Sequence, residues 1–256
     1  MNNDYLHQRL NIAQKLIQED RRFNEGIIIL KEILNQIPSD YQYHKIKGDT
    51  EYIEFWDQKE FLEYVEYVKK TNSQLKVNWM GNVFPKACYF ISVAFLEIND
   101  INSAEKYLNI GLSLEKDNPL LLNEMGMLNT SKAKTYNDLN YYKEAKKYYV
   151  QALDARPYIC NQLKARALRG VGFCEIELKN FDEAEKCFKD SMTYEPNSIA
   201  LNELAYIKMA KKGIIAPTYT NLSGGPTFKE INDLNKDNEI KKINKLKSFI
   251  NKFMKN

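Results

Sequence analysis

The chain is poor in glycine (10), proline (7) and cysteine (4), has two histidines, and contains no long apolar run. Each scarcity removes a class of answer. His7 and His44 stand apart, and the cysteines form no close pair, so the spacing of a zinc site is missing. No metal and no cofactor is expected. Cys88, Cys160, Cys174 and Cys187 read as reduced, small apolar residues. Gly224-Gly225-Pro226 lacks the strand and lysine that a phosphate-cradling loop requires, and reads as a turn. Acidic pairs such as Glu183/Glu185 fit solvated helix faces better than an acid–base dyad, so no catalytic residue is assigned. No stretch approaches the roughly 18 apolar residues of a membrane span. The N-terminal Met1-Asn2-Asn3-Asp4 has no basic-then-apolar leader, and a cytoplasmic location is the expectation.

Charge of one sign is also scarce. The net charge is +3, and residues 228–256 alone carry eight Lys against four acids, or +4, which leaves the body at −1. The body therefore lacks the cationic excess of a nucleic-acid or membrane-surface binder.

What the chain does have is a short pattern met four times. It reads Arg21-Arg22-Phe23-Asn24-Glu25-Gly26, Asn99-Asp100-Ile101-Asn102-Ser103-Ala104, Asn140-Tyr141-Tyr142-Lys143-Glu144-Ala145 and Lys179-Asn180-Phe181-Asp182-Glu183-Ala184. A large apolar residue follows each small one after four positions: Leu30, Leu108, Tyr149 and Phe188. Twelve residues after the small residue, Pro38, Pro157 and Pro196 close three of the copies. Small residues allow close helix crossings, aromatics fill the gaps between helix pairs, and proline stops the second helix. The anchors 26, 104, 145 and 184 are separated by 78, 41 and 39 residues, and 78 is twice 39. That evenness predicts a hidden second pair near residues 40–75, with a helix from Glu51 to Lys70 and five pairs in all.

With Gly172 preceding Ala184 by twelve residues, and Leu168 and Val171 before it, the pattern resembles the tetratricopeptide repeat, a helix–turn–helix unit of about 34 residues. The stretch Trp79 to Ala87 is similar to one in bacterial proteins of that family. The resemblance implies an all-α, right-handed α-solenoid over residues 1–212, with a cap helix near Ile199–Lys211. Residues 213–227 read as a linker loop. Residues 228–256 read as a basic amphipathic helix with Ile240, Ile243, Leu246, Phe249, Ile250, Phe253 and Met254 on one stripe. Three roles are open to that helix: a further cap, a partner contact, or a contact with nucleic acid or an anionic membrane.

In the family the first helix of each pair lines a concave groove. The resemblance places Lys86, Tyr89 and Val93 there from one repeat, Asn123 and Met127 with Leu120 from the next, and Arg166, Arg169 and Phe173 from the last. Such a lining suits an extended protein or peptide segment, with amides on its backbone and guanidinium groups on its carboxylates. The expected function is a non-catalytic protein-binding scaffold. The chaperone-tail clamp of some family members does not carry over, because Asn11, Lys15 and Glu124 stand where other residues are required.

Overall fold

The computed structural model describes residues 3–213, apart from residues 73 and 82. The expected linker from residue 214 onward and the basic helix at 228–256 lie outside the described residues. Four helix pairs and a closing helix form the array: α1 (Asn3–Gln18) with α2 (Phe23–Leu34), α4 (Val83–Glu97) with α5 (Ile101–Leu114), α6 (Pro119–Tyr136) with α7 (Asn140–Asp154), α8 (Asn161–Glu177) with α9 (Phe181–Tyr194), and then α10 (Ser198–Lys211). Between α2 and α4 lie β1 (His44–Lys47), β2 (Thr50–Phe55), α3 (Gln58–Thr71) and β3 (Lys76–Gly81).

The repeat pattern forms these pairs for physical reasons. Leu6, Leu10, Ala13 and Ile17 recur every three or four residues on α1 and are all buried. The four small anchors, Gly26, Ala104, Ala145 and Ala184, are buried too. A Cβ added at Gly26 would lie 2.6 Å from Ile17 Cγ1, so the helices cross where no side chain fits between them.

Within each pair the turn is built alike. Arg21, Asn99, Asn137 and Lys179 all adopt positive φ, between 51° and 65°. The following backbone N–H reaches back to the end of the first helix in every case. Asp100 N donates to Phe95 O at 2.8 Å, Asp138 N to Ala133 O at 3.1 Å and Asn180 N to Glu175 O at 2.8 Å. This satisfies carbonyls that the helix end would leave bare.

The expected second pair is corrected: of the helix expected from Glu51 to Lys70, the part from Gln58 onward forms as α3, but Glu51–Phe55 is strand, paired with His44–Lys47. Lys47 pairs with Thr50 across the two-residue loop Gly48-Asp49, and Gly48 takes φ +59°. A glycine-first loop of that length is a hairpin signal, because a side chain resists positive φ. The residues then alternate, with Glu51, Ile53 and Phe55 buried on one face of β2. Asp57 ends the strand and caps α3, accepting from Glu60 N at 2.9 Å, while Glu60 Oε2 accepts from Trp56 N at 2.6 Å. The chain returns as β3, parallel to β2, with Thr50 opposite Lys76 and Phe55 opposite Gly81. A small aromatic core closes this βαβ insertion. The Phe55 ring meets Phe61 at 5.4 Å and Tyr64 at 5.3 Å, and Trp79 stacks on Phe61 at 5.5 Å.

The solenoid continues across the insertion. Ile27, Leu30 and Ile33 of α2 share one core with Ala87, Phe90, Ile91 and Ala94 of α4. Further along, Tyr149 of α7 lies between Gly126 of α6 and Gly170 of α8, and Phe188 of α9 covers Gly172. The aromatic at the repeat's variable-size position thus fills the gap between neighbouring pairs. The helix α10 packs Ala200, Tyr206 and Ile207 against Ala184 and Phe188 and covers the last pair. Cys88, Cys174 and Cys187 are buried, Cys160 is half-buried, and all four are free thiols.

Candidate partner-binding groove

The first helices α4, α6 and α8 each carry three positions expected to face the groove. Their surroundings differ from one helix to the next. On α4, Lys86 donates through Nζ to the backbone carbonyl of Trp56, and its Nζ lies 5.1 Å from the centroid of the Trp56 ring. Burial lowers the Lys86 pKa, against the pull of Asp57, Glu54, Glu60 and Glu115. Tyr89 meets the same indole edge-on at 5.0 Å. Val93 is half-buried against the core that α1, α2 and α4 share. Two of the three expected groove residues on this helix are therefore already occupied, by the insertion.

On α6, Asn123 is 0% exposed. Its Nδ2 donates to Pro119 O at 2.8 Å, and its Oδ1 has no hydrogen-bond partner. The expected amide contact to a partner's backbone is corrected by this burial. Met127, one turn on, is 40% exposed, although Leu120, Leu121, Met125 and Leu128 around it are buried.

On α8, both arginines are ion-paired. Arg166 donates to Glu124 Oε1 at 2.5 Å, and Arg169 to Glu195 Oε2 at 2.9 Å. Glu124 is itself buried, and that burial holds its pKa up while Arg166 pulls it down. The pair joins α6 to α8, and Tyr89 of α4 feels both of its members. The expected cationic lining is thus largely neutralised from within. Phe173 is half-buried, with Lys134 Nζ 4.7 Å from its centroid and the Tyr142 ring at 6.3 Å.

Sequence reasoning missed a polar cluster beside Phe173. Glu177 of α8 has a buried Oε1 without a hydrogen-bond partner, and burial raises its pKa to about 7. Lys134 lowers that value and Glu203 of α10 raises it. Lys134 is in turn pushed down by burial. The signal was spread over α6, α8 and α10, and no local motif carries it. Trp56 was also missed as a groove element, since its segment was read as helix.

The candidate surface therefore divides in two. Over α4 it is filled by Trp56. Over α6, α8 and α10 it presents Met127, Phe173, Lys134 and Glu177. Among the described residues no cluster of His, Cys, Asp and Glu suited to a metal ion is found, and no helix is long and apolar enough to cross a membrane.

Comparison with known proteins supports the repeat reading. The family model "Tetratricopeptide repeat" matches residues 128–158, which span the end of α6, all of α7 and the turn after it. No curated protein sequence matches. The solved structure of PilF from Pseudomonas aeruginosa is similar, with a TM-score of 0.56 and 12% identity over 82% of this chain and 71% of that one. The structure of a MamA RS-1 double mutant gives a TM-score of 0.52 and 15% identity over 84% of this chain and 89% of that one. At these identities the likeness concerns the fold. Residues 128–158 thus match one tetratricopeptide repeat, and the four described helix pairs, joined by one kind of turn, share the fold of these two solved structures.

Proposed function

We propose that the chain is a non-catalytic scaffold, at work in the cytoplasm, that holds an extended segment of a partner protein on its concave face over α6, α8 and α10. Tetratricopeptide solenoids are interaction modules, and their curvature offers extended concave surfaces. The observation that carries the finer reading is Met127. It is 40% exposed in the middle of α6, between Leu120, Leu121, Leu122, Met125 and Leu128, which are all buried. An adaptable thioether is a favourable seat for an apolar side chain. Arg166 and Arg169, each fixed by one carboxylate, are pre-oriented to offer remaining N–H groups to main-chain carbonyls. Lys86, Tyr89 and Asn123 fall outside the open part of the surface in this reading.

The test is site-specific photo-cross-linking in the native cell. A benzophenone amino acid is placed at Met127, and in a second chain at Ile28, which is 57% exposed on α2. The expected result is a discrete protein adduct from position 127 and none from position 28. The same adduct pattern from both positions, or no adduct from 127, would overturn the proposal.

A further inference from the structure

Trp56 makes with α4 the contacts expected of a bound partner. It stands between β2 and the N-cap of α3, and its backbone N–H is held by Glu60 Oε2 at 2.6 Å. Its carbonyl accepts from Lys86 Nζ, and its ring meets Tyr89 at 5.0 Å and Phe90 at 6.3 Å. Lys86 and Tyr89 are one helical turn apart on α4, and Tyr89 also senses Glu124 and Arg166. One backbone carbonyl and one aromatic side chain thus engage one ammonium and one aromatic wall.

Among the described residues the other attachments of the insertion to the solenoid are made by side chains, with the Tyr64 ring 6.3 Å from Tyr158 and the Tyr41 ring 5.4 Å from Phe84. Tyr43 donates to Asp117 Oδ2 at 3.2 Å, and Tyr158 donates to Glu63 Oε2 at 2.7 Å. The Tyr67 and Tyr158 rings lie 5.5 Å apart. The docked arrangement also leaves polar atoms unsatisfied. The Tyr41 hydroxyl and Glu54 Oε2 are both buried and close to one another but make no hydrogen bond of good geometry, a cost that release of the insertion would relieve.

We propose that Trp56 is an internal ligand of the groove, and that its seat on Lys86, Tyr89 and Phe90 is a regulated docking site for a partner segment bearing an aromatic side chain with its own carbonyl turned to Lys86. The insertion closes the α4 half of the concave face. A partner that brings such a residue displaces it and gains the continuous surface from α4 to α8. This inference rests on the concave face being the binding surface.

The experiment uses the full chain with Trp56→Ala, which empties the seat and leaves the rest of the insertion in place. The probe is a fluorescein-labelled peptide with the sequence of residues 50–59, and a second peptide has alanine at the tryptophan position. Fluorescence anisotropy should show the tryptophan peptide binding the variant about tenfold or more tighter than the unaltered chain. The alanine peptide should lose that gain, and adding Tyr89→Ala to the variant should abolish it. Equal binding to both chains, or binding that survives Tyr89→Ala, overturns the proposal. So does an unaltered chain that sediments as a dimer and takes up peptide only when its dimer dissociates, since Trp56 would then come from a second copy. Where circular dichroism shows Trp56→Ala to be unfolded, Trp56→Leu in the same titration decides. The readout depends on the seat on α4 alone, whereas the cross-link at Met127 reports on α6 and α8, so either reading can fail without the other.

Discussion

Adding one methyl group beneath Tyr149 tests how the pairs are spaced. A Cβ built on Gly170 lies 2.5 Å from Tyr149 Cε1, and one built on Gly126, against the opposite helix, lies 2.6 Å from the same atom. Tyr149 is 7% exposed. The ring cannot retreat from one new methyl without pressing on the backbone that the other glycine exposes. Gly170→Ala should therefore cost about 2–3 kcal/mol in overpacking. The better helix propensity of alanine returns about 1 kcal/mol. The net loss is about 1–2 kcal/mol, or a fall in Tm of about 3–6 °C for a chain of this size. Thermal unfolding followed by circular dichroism reads this directly, with midpoints compared because repeat arrays need not unfold in one step. In a Tyr149→Leu background the same glycine change should be neutral or stabilising, which gives a coupling energy of about 1–2 kcal/mol in the double-mutant cycle. A Gly170→Ala chain that melts higher than the unaltered one, or a cycle with no coupling, would refute the close packing of α6, α7 and α8 around this ring.

Two further outcomes concern the buried charges. Arg156 donates to Glu115 and, at 3.3 Å, to Asp117, while the Glu115 side chain is 1% exposed, so Arg156→Met should cost about 3–5 kcal/mol by stranding a buried carboxylate. Adding Glu115→Gln should recover much of that loss in the urea midpoint, and no recovery would mean that Arg156 acts through its packing. Burial, with Glu115 nearby, raises the Glu54 pKa from an ordinary 4.5 to about 8, while Lys86, Tyr41 and Arg156 oppose the shift. Because the docked form holds the proton more tightly, attachment of the insertion is strongest at low pH and is lost progressively as pH rises through about 8. Protection factors at β2, with the intrinsic rise of exchange with pH divided out, should fall over that range, and Glu54→Gln should flatten the dependence; an unchanged slope would show that another group is responsible.

The sequence made the solenoid legible where the constraint was local. Gly26, Ala104, Ala145 and Ala184 announce close crossings, because a larger residue at those places has nowhere to go. The second pair was misread because a spacing of 78 happens to equal two repeats of 39. The local evidence pointed elsewhere, to a Gly48-Asp49 hairpin and the alternation of Glu51, Ile53 and Phe55. In the groove, the sequence names the residue types but not their partners. Arg166 and Arg169 are neutralised by Glu124 and Glu195, which lie 42 and 26 residues away in sequence, beyond the reach of any spacing argument. Asn123 is sealed by burial that only the packed fold reveals.

The junction of the insertion with the solenoid has a mechanical consequence. β3 ends at Gly81 and α4 begins at Val83, so a single residue separates a strand tied along its length to β2 from a helix set in the core of the solenoid. With so short a connection, a tilt of the strand would be passed on to the helix as by a lever arm. Any tilt of the sheet is a torque on the first turn of α4, where Val83, Phe84 and Ala87 grip α1 and α2. The curvature of the first half of the array is thereby geared to the position of a small sheet that no other repeat possesses among the described residues.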